Sequence, residues 1–323
     1  MPHAILVREP GGPETLTWRE VEVGEPGTGQ VRLRQTAVGL NFIDVYHRTG
    51  LYPQPAPFIP GVEGAGVVEA IGPDVDWLRI GDRVAYAGPI GAYAEARLID
   101  AGRLVKLPDE IGDEQAAAML LQGMTAQMLL RRVYGVQPGD TILVHAAAGG
   151  VGLIMCQWAA ALGATVIGTV STDEKAELAK AHGCTHAIVT ARQDFVAEVE
   201  QITGGARLPV VYDSVGRDTF AGSLDCLRPR GLMVSFGNAS GPVEPISPLL
   251  LSQKGSLFLT RPTLFHYVAT RAELDTAASE LFAMVASGKV KVEIKQRFPL
   301  KDAADAHRAL EARQTSGSTV LTV

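Results

Sequence analysis

The sequence predicts an α/β protein with two parts, a doubly wound parallel sheet and a mainly β domain of barrel type. Residues 141–260 alternate short apolar strands with helical stretches, which is typical of a parallel sheet flanked by helices. Residues 1 to about 120 carry short β-like runs separated by glycine and proline turns, as expected for a compact, partly open barrel. A glycine-rich turn at 146–152 joins a strand to a helix within the predicted sheet.

Five β-like runs define the predicted barrel, and each is bounded by turn-forming residues. They are Ala4–Val7, Gln30–Ala37, Ala65–Ile71, Arg83–Tyr86 and Ala92–Ile99. The apolar stretch that follows, Gln115–Leu130, is interrupted by Gln122 and Gln127, which favours a buried helix over a membrane span.

Six apolar strands define the predicted parallel sheet, with a helical stretch between successive strands. They are Thr141–His145, Thr165–Val170, Ala187–Thr190, Val210–Asp213, Leu232–Phe236 and Leu257–Thr260. The last of them is an apolar edge of the kind that pairs with a copy of itself.

The C-terminal region has too few apolar residues for a core of its own. It predicts a helix at Arg271–Ser287, a second helix at Asp302–Arg313 and a strand at Ser318–Val323. We therefore expect residues 263–323 to return to the mainly β domain at 1–122, so that the domain at 123–262, which holds the parallel sheet, is an insertion. The cleft between the two domains is the expected substrate site.

The turn after the first sheet strand predicts a dinucleotide site. The strand Thr141–His145, the turn and the helix Val151–Leu162 leave backbone N–H groups unpaired at a helix N-terminus, where they suit a pyrophosphate. Gly149 and Gly152 occupy two places of the G-x-G-x-x-G pattern, and Ala147 replaces the first glycine. A turn that only packs helix on strand is the less favoured alternative.

The end of the second sheet strand favours NADPH over NADH. No acidic residue stands at its tip to bind the ribose 2′-hydroxyl, and Ser171, Thr172 and Lys175 are suited to a 2′-phosphate. Asp173 and Glu174 follow and could repel that phosphate. The favoured interpretation is that they are first-turn acids stabilised by the dipole of the next helix.

Composition restricts the class of protein further. The 323 residues suffice for two domains, and 46% hydrophobic with 20% charged residues is ordinary for a soluble enzyme. A net charge of −6 argues against nucleic-acid binding, and no run reaches the roughly 18 apolar residues of a membrane helix. The three cysteines lie far apart, which suits a reducing cytoplasm. We expect a cytoplasmic protein with no nucleic-acid or membrane partner.

Seven blocks in this order resemble the medium-chain dehydrogenase/reductase superfamily, in particular its zeta-crystallin-like, zinc-independent NADPH:quinone oxidoreductases. The resemblance implies a Rossmann nucleotide-binding domain, a GroES-like catalytic domain, NADPH as cofactor, a small-molecule quinone as substrate and a homodimer. The blocks are Asn41–Tyr46, Gly50–Pro53, Pro60–Gly66, Gly81–Val84, His145–Gly152, Val211–Gly216 and Gly231–Asn238.

The side chains at the family's zinc positions predict that no metal is bound. Zinc-dependent relatives use a Cys near the position of Asn41 and a His in a Gly-His-Glu sequence, where this chain has Gly61-Val62-Glu63. Residues 86–105 contain no cysteine, so the family's structural zinc lobe is missing. Asp44 and Glu63 remain, but two carboxylates without thiolate or imidazole make no zinc site.

Without a Lewis acid, an electrophilic quinone is the substrate class that reduced nicotinamide can reduce by proximity and orientation. We therefore expect direct, metal-free transfer of reducing equivalents from NADPH to a quinone in the interdomain cleft, by hydride or by single electrons. One alternative is NADPH-dependent reduction of an enone or enoyl thioester on the same scaffold. Another, minor because of the acidic charge, is a nucleotide-sensing or RNA-binding protein.

Four residues are the candidate catalytic group. Asn41 can hydrogen-bond a cofactor or quinone oxygen, and the alternative is a turn-stabilising role. Tyr46 and Tyr52 offer aromatic faces and phenol donors, although ordinary packing is the reading that the sequence alone favours. By resemblance, Thr125 approaches the nicotinamide.

The candidate cofactor-binding residues cluster at the glycine turn, at the ends of the sheet strands and near Asn41. Ligands of open α/β sheets gather at the carboxyl ends of strands, and the resemblance adds the 2′-phosphate contact of Arg313. The full set is Phe42, Asp44, Met128, Ala148, Gly149, Gly150, Val151, Gly152, Ser171, Thr172, Lys175, Ser214, Val215, Phe236, Gly237, Asn238 and Arg313. For Met128, core filling is the alternative.

Overall fold

The computed structural model describes all 323 residues. The strands are β1 (His3–Leu6), β2 (Thr17–Glu20), β3 (Gln30–Leu40), β4 (Glu63–Ile71), β5 (Arg83–Ala87), β6 (Ala96–Asp100), β7 (Val105–Lys106), β8 (Thr141–Val144), β9 (Thr165–Val170), β10 (His186–Val189), β11 (Leu208–Asp213), β12 (Leu227–Ser235), β13 (Phe258–Thr260), β14 (Ile294–Pro299) and β15 (Ser318–Thr322). The helices are α1 (Phe42–Thr49), α2 (Asp113–Ala117), α3 (Leu120–Gln127), α4 (Gly150–Ala161), α5 (Asp173–Ala181), α6 (Phe195–Thr203), α7 (Phe220–Asp225), α8 (Leu249–Gln253), α9 (Leu264–Tyr267), α10 (Arg271–Ala286) and α11 (Ala303–Glu311).

The residues group into two compact units. Unit 1 comprises Met1–Met124, Val268–Leu281 and Val292–Val323, and unit 2 comprises Thr125–Tyr267 and Phe282–Lys291. The domain boundaries that the sequence predicts, after residues 122 and 262, stay a prediction. Residues 282–291, which we expected in the returning tail, group with unit 2.

Unit 2 is built on a six-stranded, wholly parallel sheet. Its strand order is β10-β9-β8-β11-β12-β13, which is the doubly wound order of a Rossmann fold. The chain moves from β8 outwards to β10 and then crosses to β11 on the other side of β8. Ligands of such sheets bind at this switch point, outside the carboxyl ends of β8 and β11. The predicted fold class is confirmed.

The strands of this sheet are apolar because helices cover both faces. All six residues of β11 are buried, and the core formed around Leu143, Ile167 and Val211 extends to Phe220 on α7. The predicted strands differ from the observed ones by a few residues at their ends, except in β12, which begins five residues earlier, at Leu227.

A buried hydrogen-bond network joins β8 to its neighbours beneath the glycine turn. His145 Nδ1 lies 2.8 Å from Thr169 Oγ1, and Nε2 lies 2.9 Å from Ser223 Oγ. Ser223 in turn donates to Asp213 Oδ2 at 3.0 Å. Burial lowers the pKa of His145, so the imidazole is neutral and serves as a structural bridge.

Unit 1 contains a seven-stranded mixed sheet with the long strand β3 at its centre. The path is β14-β15-β3-β4-β5-β7, and β6 also pairs with β3. Strand β15 runs antiparallel to β3, with Val320 opposite Gly39, so the C-terminal strand completes the N-terminal sheet. The core between these elements is apolar and includes Leu33, Val38 and Leu321. This is the mainly β part of the fold.

Two predicted elements were wrong in extent. The strand predicted at Ala92–Ile99 begins only at Ala96, because the amides of Ala92 and Tyr93 donate to the carbonyls of Gly61 and Pro60 instead of to a sheet partner. The helix predicted over 115–130 is divided into α2, α3 and a π-helical turn at Met128–Val133.

The break between α2 and α3 coincides with a long-range hydrogen bond to Glu63. The amide of Leu121, in the first turn of α3, donates to Glu63 Oε1 at 2.8 Å. A buried carboxyl oxygen thus accepts from an amide that the start of a helix leaves unpaired. None of the helices combines the length and the apolar character that crossing a lipid bilayer requires.

Candidate active site

The glycine turn leads from β8 into α4 without any side chain that caps the helix. Ala146 adopts a left-handed conformation with φ of 52°, and the amide of Gly149 donates to its carbonyl at 2.9 Å. Helix α4 begins at Gly150, and its N-cap Gly149 has no side chain that could accept a bond. The first amide that pairs within the helix is that of Leu153. The N–H groups of 150–152 are therefore available to an anion.

Two glycines of the turn differ in how much space surrounds them. A Cβ at Gly152 would overlap the carbonyl oxygen of Ala146 and lie 2.8 Å from Ala147 Cα. A Cβ at Gly149 would lie 3.2 Å from the same oxygen, a tight contact that a small shift relieves. Gly152 therefore permits the close approach of helix and strand, and the turn fits the pyrophosphate of a dinucleotide.

The end of β9 carries the residues predicted to bind a 2′-phosphate. Thr172 is the N-cap of α5, and its Oγ1 accepts the amide of Lys175 at 3.3 Å. The Ser171 and Lys175 side chains are half-buried, whereas Thr172 is exposed. These three residues lie at one strand end, as predicted, but their binding role stays a prediction.

The carboxyl ends of β11 and β12 lie side by side in unit 2. Asp213 Oδ1 accepts the amides of Val215 at 2.8 Å and Gly216 at 3.0 Å, which shapes the turn after β11. A Cβ at Gly237 would overlap the carbonyl oxygen of Ser214. The predicted pair of segments, Ser214–Val215 and Phe236–Asn238, is therefore brought together.

Asn238 is oriented by its neighbours. In the orientation that satisfies both ends of its amide, Nδ2 donates to the Gly237 carbonyl at 2.9 Å and Oδ1 accepts from Arg261 at 3.0 Å. Arg261 also donates to the Gly237 carbonyl at 3.2 Å. Arg261, the residue directly after β13, thus fixes the loop after β12 through these hydrogen bonds.

Asn41 is the centre of a buried polar cluster in unit 1. It is the N-cap of α1, and its amide N–H donates to Asp44 Oδ2 at 2.9 Å. Its side-chain Nδ2 donates to Glu63 Oε2 at 2.7 Å, and its Oδ1 accepts from Gln122 Nε2 at 3.1 Å. Gln122 is oriented in turn by Ser318, which donates to Gln122 Oε1 at 2.6 Å. Each bond determines the direction of the next, so the Asn41 amide has one orientation.

A second chain of hydrogen bonds begins at Asp44. Tyr93 donates to Asp44 Oδ2 at 3.1 Å, and His307 Nε2 lies 3.0 Å from the Tyr93 hydroxyl. Arg48 lies 3.2 Å from His307 Nδ1 and makes two bonds of 2.9 and 2.7 Å to Glu311. Burial and the adjacent Arg48 guanidinium lower the pKa of His307 to about 3. His307 is therefore neutral, accepts from Arg48 and donates to Tyr93.

The two carboxyls next to Asn41 are buried and have raised pKa values. Burial raises the pKa of Asp44 from 3.8 to about 7, against the opposing effect of the bonds from Asn41 and Tyr93. Burial also raises the pKa of Glu63 from 4.5 to about 8, and the bond from Asn41 opposes it. Proximity to Asp44 raises the pKa of Glu63 further.

Two aromatic residues of α1, Phe42 and Tyr46, form a small cluster with Tyr52, which follows the helix. The ring centroids of Tyr46 and Tyr52 lie 5.1 Å apart in an edge-on arrangement, and Phe42 lies 6.3 Å from Tyr46. Tyr46 is only 8% exposed, whereas Phe42 and Tyr52 are half-buried. Packing is thus part of the role of Tyr46, and the half-buried rings leave area for a ligand.

Three candidates lie apart from these clusters within their own units. Thr125 is half-buried on α3, and Met128 begins the π-helical turn with 1% of its surface exposed. Arg313 is exposed just after α11. Their roles at the cofactor stay predictions, as does that of Asp44, whose buried Oδ2 accepts from Asn41 and Tyr93 while Oδ1 has no partner.

The sequence reasoning missed several residues that hold the Asn41 cluster together. The sequence marks Glu63 only as a carboxylate at the family's zinc position, and Gln122 only as an interruption of an apolar stretch. A glutamine inside an otherwise apolar run was the available signal, because a buried amide needs partners. No similar signal marked Tyr93, His307 or Ser318. No group of three or more His, Cys, Asp or Glu side chains that could hold a metal ion is present.

Comparison with protein families divides the chain in two. Residues 27–109 match the family described as the alcohol dehydrogenase GroES-like domain. Residues 150–283 match the family described as zinc-binding dehydrogenase. The two matches fall on the mainly β sheet and on the parallel sheet.

Individual proteins match over nearly the whole chain. A quinone oxidoreductase of Pseudomonas aeruginosa is 55% identical over 313 residues, which is 96% of both chains. A 2-haloacrylate reductase of a Burkholderia species is 49% identical and covers 98% of both chains. A crystal structure of Escherichia coli quinone oxidoreductase complexed with NADPH superposes with a TM-score of 0.98 at 48% identity, and covers 99% of this chain and 100% of that one.

The crowding at Gly152 predicts an asymmetric response to alanine. We expect Gly152→Ala to lower the free energy of unfolding by about 2 kcal/mol, because the added methyl overlaps the Ala146 carbonyl. Gly149→Ala is the matched control and should cost less than about 1 kcal/mol. Urea denaturation without any nucleotide measures both. Equal losses for the two variants would contradict the close approach.

The raised pKa of Glu63 predicts how stability depends on pH. Since the folded pKa of about 8 exceeds the value of 4.5 expected without burial, protonation stabilises the folded state below pH 4.5. That contribution is lost as pH rises through about 8. We expect Glu63→Gln to abolish this dependence of stability on pH. Between pH 4.5 and about 8, the difference in unfolding free energy between the variant and the wild type should therefore grow in favour of the variant, by up to about 1.4 kcal/mol per pH unit.

Guanidinium denaturation at a series of pH values measures this difference. The control is Glu22→Gln, which removes a carboxylate from the exposed surface. Its unfolding free energy should follow that of the wild type across the range. If the Glu63→Gln curve runs parallel to the wild-type curve as well, Glu63 is not held protonated.

Proposed function

The chain belongs to the zinc-independent quinone oxidoreductases of the medium-chain dehydrogenase/reductase superfamily, and from this membership we propose that it reduces quinones with NADPH. The observation that carries the proposal is the donor set around Asn41. An amide hydrogen-bonded on both sides occupies the place of a metal-binding thiolate, so the reduction must suit a substrate that needs no Lewis acid. Quinones meet that requirement.

NADPH supplies the reducing equivalents when bound. The amides of 150–152 would hold its pyrophosphate, since they lack intrahelical partners and lie at the positive end of α4. Ser171, Thr172 and Lys175 would bind the 2′-phosphate at the end of β9, with Arg313 as a further cation. The loops of Ser214 and Asn238 would contact the ribose and carboxamide at the carboxyl ends of β11 and β12.

The quinone would be bound by the residues that flank α1, Asn41 before it and Tyr52 after it. Asn41 is held in one orientation by Glu63 and Gln122, so its amide can present a hydrogen bond without first being ordered. The Tyr52 ring, half-buried against Tyr46, offers a flat face to a flat substrate. The expected position of the quinone in the cleft between the domains stays a prediction.

Reduction of an activated alkene is the second candidate. A relative that is 49% identical over nearly the whole chain is a 2-haloacrylate reductase, whose named substrate is an activated alkene. The same scaffold could therefore reduce an enone or an enoyl thioester. Such a reaction requires a proton donor at carbon, and the phenols of Tyr46 and Tyr52 are the candidates.

Turnover with a panel of acceptors separates these functions. We expect the chain to oxidise NADPH with 1,4-benzoquinone at a kcat/KM at least about tenfold above that for an enone, a crotonyl thioester or 2-chloroacrylate. NADPH consumption at 340 nm, corrected for the reaction without enzyme, measures this. A higher kcat/KM for any of the alkenes would contradict the proposal and favour the second candidate.

We also propose that the protein is a cytoplasmic homodimer. Strand β13 ends the order of the parallel sheet, and Phe258 on it is 62% exposed, so an apolar strand edge is open to a second copy. All three cysteines are buried and unpaired, which suits a reducing compartment.

Light scattering tests the dimer. At micromolar concentration we expect twice the chain mass of 34.2 kDa, and we expect Phe258→Lys to lower the mass towards that of one chain, because a charge would be buried in the interface. Ile80→Lys, which replaces another exposed apolar residue on unit 1, should leave the dimer intact. A monomeric wild-type protein would contradict the proposal.

A further inference from the structure

An ion pair lies beside the predicted 2′-phosphate site at the end of β9. Asp173 is the first residue of α5, three positions beyond the last residue of β9, and is the first carboxylate after that strand. Arg192, in the loop after β10, makes two bonds to it, Nη2–Oδ1 at 2.7 Å and Nη1–Oδ2 at 3.0 Å. This is the bidentate arrangement of a guanidinium on a carboxylate.

An acid near this point of a Rossmann fold bears on the choice of cofactor. NAD-binding domains place an Asp or Glu close to the end of the second strand, where it binds the ribose 2′-hydroxyl. A carboxylate with no counter-charge there would also repel the 2′-phosphate of NADPH. Asp173 is therefore the residue that should oppose NADPH in this chain, and the structure pairs it with a cation.

Local hydrogen bonds hold the loop that carries Arg192. The amides of Arg192 and Gln193 donate to the Val189 carbonyl at 3.1 and 3.0 Å, and Gln193 Oε1 accepts the Val189 amide at 2.9 Å. These bonds close a tight turn directly after β10, the neighbour of β9 in the sheet. The turn therefore fixes the backbone position from which the Arg192 side chain extends.

We propose that Arg192 determines the preference for NADPH over NADH by neutralising Asp173 and by adding a positive charge at the 2′-phosphate. The inference rests on the proposed NADPH site and concerns the specificity of that site. Two of the five guanidinium N–H groups bond Asp173, so others can donate to a phosphate oxygen. Asp173 thus orients Arg192 and no longer acts against the phosphate.

The pair is too exposed for a mainly structural role. The Arg192 and Asp173 side chains are 56% and 73% exposed, and surface ion pairs of this kind add little to folding stability. Variants at both positions should therefore fold, and their nucleotide affinities can be compared directly.

Binding of NADPH and NADH to four proteins tests the inference. Dissociation constants are measured by nucleotide fluorescence for the wild type, R192A, D173A and R192A/D173A. We expect R192A to weaken NADPH binding about tenfold and NADH binding less than about twofold, since only NADPH carries the 2′-phosphate. The double variant should bind NADPH about threefold more tightly than R192A, because the Asp173 carboxylate that Arg192 no longer neutralises is also removed.

Lys180→Ala is the matched control. Lys180 lies at the other end of α5, is similarly exposed and pairs with Glu177, so its loss removes one positive charge from the same helix. We expect both dissociation constants to stay within about twofold of the wild type. Affinity that falls equally for R192A and K180A would show general charge attraction and overturn the inference.

Two further outcomes are distinct. An R192A variant whose ratio of NADPH to NADH affinity equals that of the wild type would overturn the role of Arg192 and leave the proposed function intact. A wild-type protein that binds neither nucleotide would overturn the proposed function itself.

Discussion

The contact between the start of α4 and the end of β8 is the constraint on which the nucleotide site depends. Because Gly152 has no side chain, the helix approaches the Ala146 carbonyl closely, and the amides of 150–152 stay unpaired at its N-terminus. The buried bridge from His145 to Thr169 and Ser223 supports the turn from below. The close packing of this turn thus leaves the amides of 150–152 free at the switch point of the sheet, between β8 and β11.

Unit 1 contains a buried network of hydrogen-bonded side chains around Asn41. Asn41 lies between Glu63 and Gln122, and its backbone is held by Asp44, whose carboxylate is anchored through Tyr93 and His307. Such a network is stable only when nearly every member is bonded, because an unpaired buried polar group is costly. The result is a rigid amide at Asn41, which suits hydrogen bonding better than metal binding.

Much of unit 2 was predictable because parallel strands buried on both faces leave continuous apolar runs, and the glycine turn marks where β8 meets α4. The Asn41 cluster was only partly predictable. Glu63 caps α3 across 58 positions of sequence, and Ser318 orients Gln122 across 196, so no local pattern could reveal either bond. The predicted strand at Ala92–Ile99 was too long because its first residues bond a loop, a contact that alternation of apolar residues does not encode.

Binding of NADPH by the amides at the start of α4 is the interaction on which the proposed function depends most. Titration of ¹⁵N-labelled protein with NADPH, followed by the amide resonances of 150–152, tests it most directly. We expect these three resonances to shift in proportion to occupancy, together with those of Thr172 and Lys175. Saturating NADPH that leaves the resonances of 150–152 unmoved would contradict it.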